Sequence, residues 1–175
     1  MKNFIVVSIS QQTLEVFASA SLEPITTSKP ITTGVRPIQS YAVSTALNGV
    51  GCEKNSGKTP LGKHVIRAKI GQNEPLNSVF VGRRPTGEIY SPELAQSQPE
   101  RDWILTRILW LSGSEVGQNR LGQVDTMQRY IYIHGTPDSE PMGVPLSHGC
   151  IRMRNEDIIE LFDLVEVSTP VEIIC

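Results

Sequence analysis

Short apolar segments separated by polar turns recur along the chain. Two of them open it, Ile5-Val7-Ile9 and Leu14-Val16, each alternating with other positions and joined by a polar turn at residues 10–12. Alternation with a period of two is typical of half-buried β-strands. Later segments of the same character are rich in Val, Ile, Tyr and Trp, which favour strands. They predict strands over residues 41–47, 64–70, 78–82, 103–111, 130–134 and 171–174.

One segment near the carboxyl terminus predicts an amphipathic helix. A single apolar stripe with the spacing i, i+3, i+4 and i+7 is formed by Ile158, Leu161, Phe162 and Val165. Asn155 precedes the stripe and is predicted to be the N-cap, because its side chain can accept a hydrogen bond from a free backbone N–H. The two acidic residues that follow it suit the positive end of the helix dipole.

Length and composition fit one globular domain over residues 1–175. Hydrophobic residues make up 39% of the sequence, and a chain of this length can bury a core without disulfides or metal. The polar segment 71–101 carries four prolines, and we expect it to leave the core and shape a cleft. The formal net charge of −2 excludes the broad cationic field needed for nonspecific binding to nucleic acid or anionic membranes. No apolar stretch approaches the ~20 residues of a membrane-spanning helix.

The amino terminus superficially resembles a signal peptide. Lys2, the apolar run 4–7 and the sequence Ala18-Ser19-Ala20 have the order of charge, apolar segment and cleavage site. The apolar run is short, however, and polar residues follow it at once, so two strands are the better interpretation. We therefore expect a cytoplasmic protein. A periplasmic protein whose leader had been removed would carry the same sequence.

Three cysteines, Cys52, Cys150 and Cys175, are widely spaced, and none forms a CxxC pair. This pattern does not indicate a zinc ribbon, a redox pair or a disulfide scaffold, although one disulfide could form. At least one thiol should be free. The sequence assigns no role to Cys52 or Cys175.

Candidate chemistry lies around Cys150. His134 ends a predicted strand, and Cys150 follows Gly149 in a loop just before the predicted helix. Only a thiolate attacks a carbonyl, and an imidazole can take the thiol proton and stabilise the thiolate. We therefore expect His134 to contact Cys150, and a backbone carbonyl could orient the ring. An ion pair of the two would keep alkylation of the thiol fast below a pH of about 8.5. Backbone N–H groups at Gly149 could hold an oxyanion, and Arg152 could bind a substrate carboxylate.

Two other interpretations of the same residues stay open. His134, His148 and Cys150 are all competent zinc ligands, although their spacing lacks the usual paired ligands. A lone cysteine or histidine can also be simply a packed core residue.

The residues around this cysteine carry a resemblance to a known family. Three segments of this chain resemble the signature of the L,D-transpeptidase (YkuD-type) catalytic domain. They are His134-Gly135-Thr136, Ser147-His148-Gly149-Cys150-Ile151-Arg152-Met153 and Asn155-Glu156-Asp157. The sequence Lys58-Thr59-Pro60-Leu61-Gly62 and the opening strands are similar to other recurrent parts of that family. The resemblance therefore covers most of the chain.

The resemblance implies a mainly β fold, an L,D-transpeptidase-like β-sandwich that is mostly antiparallel, with a long catalytic loop and a few short helices. It implies action on peptidoglycan stem peptides. The cysteine attacks the carbonyl of the L-centre of the diamino acid at the third stem position, D-alanine leaves, and a thioester forms. An amine resolves the thioester in crosslinking or exchange, and water resolves it in L,D-carboxypeptidation. No metal or organic cofactor is implied.

The same resemblance assigns roles. Cys150 is the nucleophile, His134 is the general base and acid, and the Gly135 carbonyl orients His134. The backbone N–H groups of His148 and Gly149, with that of Cys150, hold the oxyanion.

The remaining assignments concern the loop and the substrate. Ser147 and His148 shape the loop, and Arg152 contacts the carboxylate or main chain of the substrate. Arg154 is expected only to pair with Glu156 or Asp157.

Different functions remain open beside the leading one. Soluble muropeptides would favour trimming during recycling, whereas wall-bound stems would favour crosslinking. A non-catalytic module that binds peptidoglycan fragments and a zinc-dependent hydrolase are the alternatives. The sequence predicts no oligomeric state.

Overall fold

A mixed ten-stranded sheet forms the centre of the fold. The computed structural model describes residues 3–18 and 36–175. The strands are β1 (Asn3–Ser8), β2 (Thr13–Ala18), β3 (Gln39–Ala42), β4 (Gly62–Ile70), β5 (Ser78–Val81), β6 (Arg84–Ile89), β7 (Ile104–Gly113), β8 (Tyr132–Gly135), β9 (Ile151–Met153) and β10 (Pro170–Ile174). Two α-helices accompany them within the described residues, α1 (Pro92–Ser97) and α2 (Asn155–Leu164).

The sheet runs in the order β3-β2-β1-β10-β4-β7-β5-β6, with β8 pairing β7 and β9 pairing β8. Neighbouring strands are antiparallel except for β1 with β10 and β8 with β9, which are parallel. The predicted mainly β, mostly antiparallel fold with a few short helices is confirmed. It is built from one continuous, curled sheet.

The amino-terminal segment is a strand pair. β1 and β2 pair antiparallel. Their alternate residues are buried in the main core, namely Ile5, Val7, Leu14 and Val16. The apolar part of the signal-like pattern is therefore sheet. Its last two residues, Ser19 and Ala20, lie outside the described residues. Among the described residues, neither helix has the length and apolar character needed to cross a membrane.

Two strands were not predicted from the sequence. β6 carries Pro85 and Gly87 on an exposed edge, so it lacks the apolar alternation of a half-buried strand. β9 has only three residues between a loop and a helix. The strand predicted over 41–47 ends at Ala42, and beyond it Ser44 and Ala46 form only isolated bridges.

The polar segment 71–101 is more ordered than its composition indicated. It contains the β5–β6 hairpin and α1, and its last residues, 99–101, line a cleft beside Arg152. Pro92 begins α1, where proline suits the first helical turn, and the Ser91 hydroxyl accepts a hydrogen bond from the Leu94 N–H.

Helix α2 packs its apolar stripe on the sheet, as predicted. Ile158, Leu161 and Phe162 are buried in the main core together with strand residues of β8 and β9. The predicted N-cap is wrong, because Arg154 occupies that position and makes no side-chain capping bond. Asn155 instead turns its amide inward, where a buried polar group needs hydrogen-bond partners.

Candidate active site

The parallel strands β8 and β9 place the predicted residues on one face of the sheet. In the register of these two strands, His134 lies opposite Arg152, and Ile133 lies opposite Ile151. The two isoleucines face the main core with α2. Because side chains alternate along a strand, His134 and Arg152 lie on the opposite face, with Cys150 directly before β9. We call this opposite face the site face.

His134 is held by its neighbour in the chain. The ring is 1% exposed, and Nδ1 lies 2.7 Å from the Gly135 carbonyl oxygen. A carbonyl only accepts hydrogen bonds, so Nδ1 carries the proton and Nε2 is left as an acceptor. Burial lowers the pKa of His134, with the bond to Gly135 acting against it, so the ring is neutral at pH 7. A neutral imidazole with a free Nε2 can accept a proton.

The Cys150 sulfur does not bond to that imidazole. The Tyr132 N–H donates to Sγ at 3.4 Å, and Sγ lies 3.4 Å from the Tyr130 carbonyl oxygen, to which the thiol donates. Burial raises the pKa of Cys150 to about 11. The predicted ion pair with His134 is not formed in this structure, because the sulfur bonds to backbone groups. The backbone groups of Tyr130 and Tyr132 satisfy the thiol, and burial favours its uncharged form.

The loop before Cys150 is shaped by Gly149. Its φ of +134° favours glycine, and a Cβ there would lie 3.2 Å from Ile131 Cδ1 and 3.3 Å from the Lys58 carbonyl oxygen. The Thr59 hydroxyl donates to the Gly149 carbonyl at 3.0 Å. The segment around Lys58 and Thr59, which carries part of the family resemblance, thus contacts the cysteine loop directly.

Ser147 closes the same loop from the other side. Its hydroxyl donates to the Cys150 carbonyl and accepts a hydrogen bond from the Gly149 N–H at 3.2 Å. Of the three backbone amides predicted to hold an oxyanion, that of Gly149 is therefore already committed. The amides of His148 and Cys150 are the remaining candidates.

Arg152 lies at the bottom of a cleft of about 220 Å³. Its guanidinium is 3.2 Å from the Asp102 carboxylate and 3.6 Å from that of Glu140. The two acidic side chains are 54% and 40% exposed, whereas that of Arg152 is 10% exposed. Ion pairs with partners this exposed are weak, so an incoming carboxylate can displace them.

His148 is exposed and separates this cleft from a second one. The second cleft has a volume of about 250 Å³ and is lined by Lys54, Arg129 and Tyr130 among others. Both clefts reach the loop that carries Cys150, since His148 lines each of them. Arg154 does not make the predicted ion pair and donates to the Asp138 carbonyl instead.

Sequence reasoning missed Asp102, Glu140 and Arg129. Arg129 is half-buried and donates to the carbonyls of Gly51 and Lys58, which fixes the loop that supports Gly149. None of the three belongs to a short motif, and they reach the site only through the fold. A signal for Asp102 was its position just before a predicted strand that neighbours the one ending at His134.

The zinc interpretation lacks a site. Within residues 3–18 and 36–175, no three His, Cys, Asp or Glu side chains come close enough together to hold a metal ion. Cys52, Cys150 and Cys175 are all free thiols.

Solved L,D-transpeptidase structures share this fold. L,D-transpeptidase 3 from Mycobacterium tuberculosis, solved with a faropenem-derived adduct, matches with a TM-score of 0.54 and 19% identity, covering 99% of this chain and 60% of that one. An L,D-transpeptidase from Enterococcus faecium matches with a TM-score of 0.54 and 13% identity, covering 99% and 50%. At these identities the likeness concerns the fold.

Curated relatives match over a shorter segment. The probable L,D-transpeptidase YbiS of Escherichia coli is 50% identical over 46 residues, which are 26% of this chain and 15% of that protein. The putative L,D-transpeptidase YkuD of Bacillus subtilis is 49% identical over 41 residues, 23% of this chain and 25% of that protein. The matched segment thus spans at most a quarter of these relatives. The family model of the L,D-transpeptidase catalytic domain, YkuD, matches residues 2–173. The chain therefore belongs to the YkuD family of L,D-transpeptidase catalytic domains.

Proposed function

We propose that this protein cleaves the bond between the diamino acid and D-alanine in peptidoglycan tetrapeptide stems through a thioester on Cys150. The observation that carries the proposal is the state of His134. Its Nδ1 donates to the Gly135 carbonyl, so Nε2 is free to accept a proton on the face that Cys150 also occupies. Cys150 lies two residues before Arg152, the register partner of His134, so strand alternation places Cys150 and His134 on the same face.

The first step is a rotation of the thiol. In the free protein Sγ donates to the Tyr130 carbonyl. Rotation about χ1 turns Sγ toward Nε2 of His134, which takes the proton as the sulfur attacks the substrate carbonyl. The carbonyl oxygen becomes an oxyanion that accepts hydrogen bonds from the amides of His148 and Cys150.

The second step releases D-alanine. The imidazolium of His134 gives its proton to the leaving nitrogen, the C–N bond breaks, and the thioester remains on Cys150. The neutral ring then takes a proton from an attacking amine or water, and collapse of the second tetrahedral intermediate frees the thiol. Crosslinking, exchange and hydrolysis thus share one acyl-enzyme and differ only in the acceptor.

Arg152 is proposed to bind a carboxylate of the stem peptide. Its guanidinium faces the cleft between Asp102 and Glu140, and its planar donors suit a carboxylate. The two acidic residues would then be released from Arg152 and could attract the amine of an acceptor stem.

Incubation with a disaccharide-tetrapeptide under reducing conditions, followed by mass spectrometry, tests the proposal. The wild-type protein should release D-alanine, and Cys150→Ala should not. Cys175→Ala is the matched control, because that thiol is also free but exposed at the end of the chain. A free tripeptide alone indicates hydrolysis, and a crosslinked product, or an exchange product when a D-amino acid is added, indicates transfer. An intact tetrapeptide with the wild-type protein would overturn the assignment for this substrate.

A catalytically silent module that binds wall fragments is the second candidate. The hydrogen bonds of the Cys150 sulfur favour it, since they go to the backbone of Tyr130 and Tyr132 and not to a catalytic base. Equal muropeptide affinity of the wild-type protein and Cys150→Ala, with no turnover by either, would support this candidate over the enzyme.

A further inference from the structure

We propose that Thr106 and Asn155 are positioning residues that fix the Gly135–Thr136 peptide plane and thereby hold His134 in the tautomer with Nε2 free. The catalytic part of this inference rests on the proposed function. The structural part, which concerns the state of the His134 ring, does not.

The peptide group between Gly135 and Thr136 makes two hydrogen bonds. Its carbonyl oxygen accepts the Nδ1–H of His134 at 2.7 Å. Its N–H belongs to Thr136 and donates to the Met153 carbonyl at 3.2 Å. Any tilt of this plane therefore moves the acceptor on which the His134 tautomer depends.

Asn155 holds this segment directly. Its side chain is buried, and Nδ2 donates to the Thr136 carbonyl at 2.8 Å. A Cβ added to Gly135 would fall on Asn155 Oδ1, so the amide packs straight against the Gly135 backbone. Asn155 thus touches the backbone on both sides of the plane without touching the imidazole through any hydrogen bond of its own.

Thr106 in turn holds Asn155. The Thr106 hydroxyl donates to Asn155 Oδ1 at 2.6 Å and accepts a hydrogen bond from the Asn77 N–H at 3.1 Å. Both side chains are buried. Because the Thr106 hydroxyl donates to Oδ1 of Asn155, the orientation of that side-chain amide is fixed. Its Nδ2 then points to the Thr136 carbonyl and donates to it.

The backbone of Thr106 adopts a strained conformation that its surroundings maintain. Its φ is +72°, which is rare for a β-branched residue, and it lies where the register of β7 with β8 shifts between Leu105 and Ile108. Such conformations persist when the surroundings over-determine them, and they cluster at functional sites. Glycine would relieve the strain but has no hydroxyl to give Asn155. The hydroxyl is therefore the property that explains a threonine here.

Substitutions that separate the hydroxyl from the shape test the proposal. Thr106→Val keeps the branched side chain and removes the hydroxyl, and Thr106→Ser keeps the hydroxyl. We expect Thr106→Val to lower kcat roughly tenfold to a hundredfold with little change in KM, because a misplaced catalytic group affects the reaction more than binding. Thr106→Ser should restore most of kcat. Thr106→Ala replaces Thr106→Val should the latter not fold.

The matched control is Thr126→Val. Thr126 is as fully buried as Thr106, and its hydroxyl also has a hydrogen-bond partner, Nε2 of His64 at 3.1 Å. Its loss should affect stability, measured by urea unfolding, without lowering kcat. Equal losses of kcat in Thr106→Val and Thr126→Val would overturn a positioning role.

The decisive measurement needs no turnover. Nitrogen-15 NMR distinguishes a protonated Nδ1 from a protonated Nε2, and His134→Gln assigns the signals among the three histidines. The wild-type protein should show Nδ1–H at His134, Thr106→Val should show a mixture, and Thr106→Ser should resemble the wild type. Folded Thr106→Val with an unchanged His134 tautomer would overturn the inference. An inactive wild-type protein with these NMR results would instead overturn only the proposed function.

Discussion

The chemistry proposed for Cys150 depends on a single side-chain torsion. The structure places His134 in β8 and Cys150 directly before β9, on the same sheet face. The partners that satisfy the sulfur are backbone groups of Tyr130 and Tyr132, which no sequence pattern identifies. Residue type and spacing therefore identified two side chains that lie on one sheet face, whereas the partners of the sulfur depend on burial and local backbone geometry.

Alkylation of Cys150 should respond to pH in the way expected of a thiol with a raised pKa. Only the thiolate reacts with iodoacetamide, and burial raises the pKa of Cys150 to about 11. In a protein carrying Cys52→Ser and Cys175→Ser, we expect slow alkylation near neutral pH and a rate that still rises above a pH of about 9. Mass spectrometry of quenched samples gives the rate constants.

The matched comparison for this experiment is His134→Gln in the same background. Its profile should be unchanged, because the imidazole does not bond to the sulfur in the free protein. A rate that levels off by a pH of about 8 in the parent and not in His134→Gln would show a thiolate–imidazolium pair instead.

At the scale of elements, β8, β9 and α2 hold the site as one unit. β7 and α2 could be predicted because each has a long and regular apolar pattern. β9 could not, because three residues are too few for a period to show, and its pairing with β8 is a long-range contact. The loop that carries Cys150 was predicted from Gly149 and from the family resemblance, but its support by Thr59 and Arg129 comes from elements distant in sequence.

Replacing a buried side chain of α2 by alanine should destabilise the fold far more than the same replacement at the next residue. Ile158 is 0% exposed, and its Cγ2 lies 3.3 Å from the position of a Cβ on Gly135, whereas the next residue, Ile159, is only partly buried. We expect Ile158→Ala to lower the free energy of unfolding by about 2–5 kcal/mol, because it leaves a cavity under the site. Ile159→Ala should lower it by less. Urea denaturation of both variants makes the comparison, and equal losses would contradict the assigned packing.

At the scale of the whole molecule, one sheet connects the chain ends to the site. β1 pairs with β10, β10 with β4, β4 with β7, and β7 with β8. The sequence predicted most of these strands but not their order, because order depends on contacts between distant segments. The acidic residues beside Arg152 were missed for the same reason, since Asp102 and Glu140 meet only after the sheet has formed.

Stability of the whole fold should therefore fall when a buried group in this sheet becomes charged. His64 in β4 is 1% exposed, with Nδ1 2.9 Å from the Gly62 carbonyl oxygen and Nε2 3.1 Å from the Thr126 hydroxyl. Burial lowers the pKa of His64 from 6.5 to about 4. Between these two values the unfolded chain binds a proton that the folded protein excludes, so the free energy of unfolding decreases as the pH falls through this range.

The size of the effect follows from the shift in pKa. At a pH of about 4 the protein should have lost about 3 kcal/mol relative to neutral pH through His64 alone. Urea denaturation across this range measures the loss, and His64→Gln should reduce it by about this amount. The part that persists in His64→Gln should include His134, which is also buried with a lowered pKa, and Glu88 and Glu93, whose pKa values are lowered by hydrogen bonds. If His64→Gln keeps the full slope, protons are taken up elsewhere, and the neutral imidazole of β4 does not contribute to the loss of stability in acid.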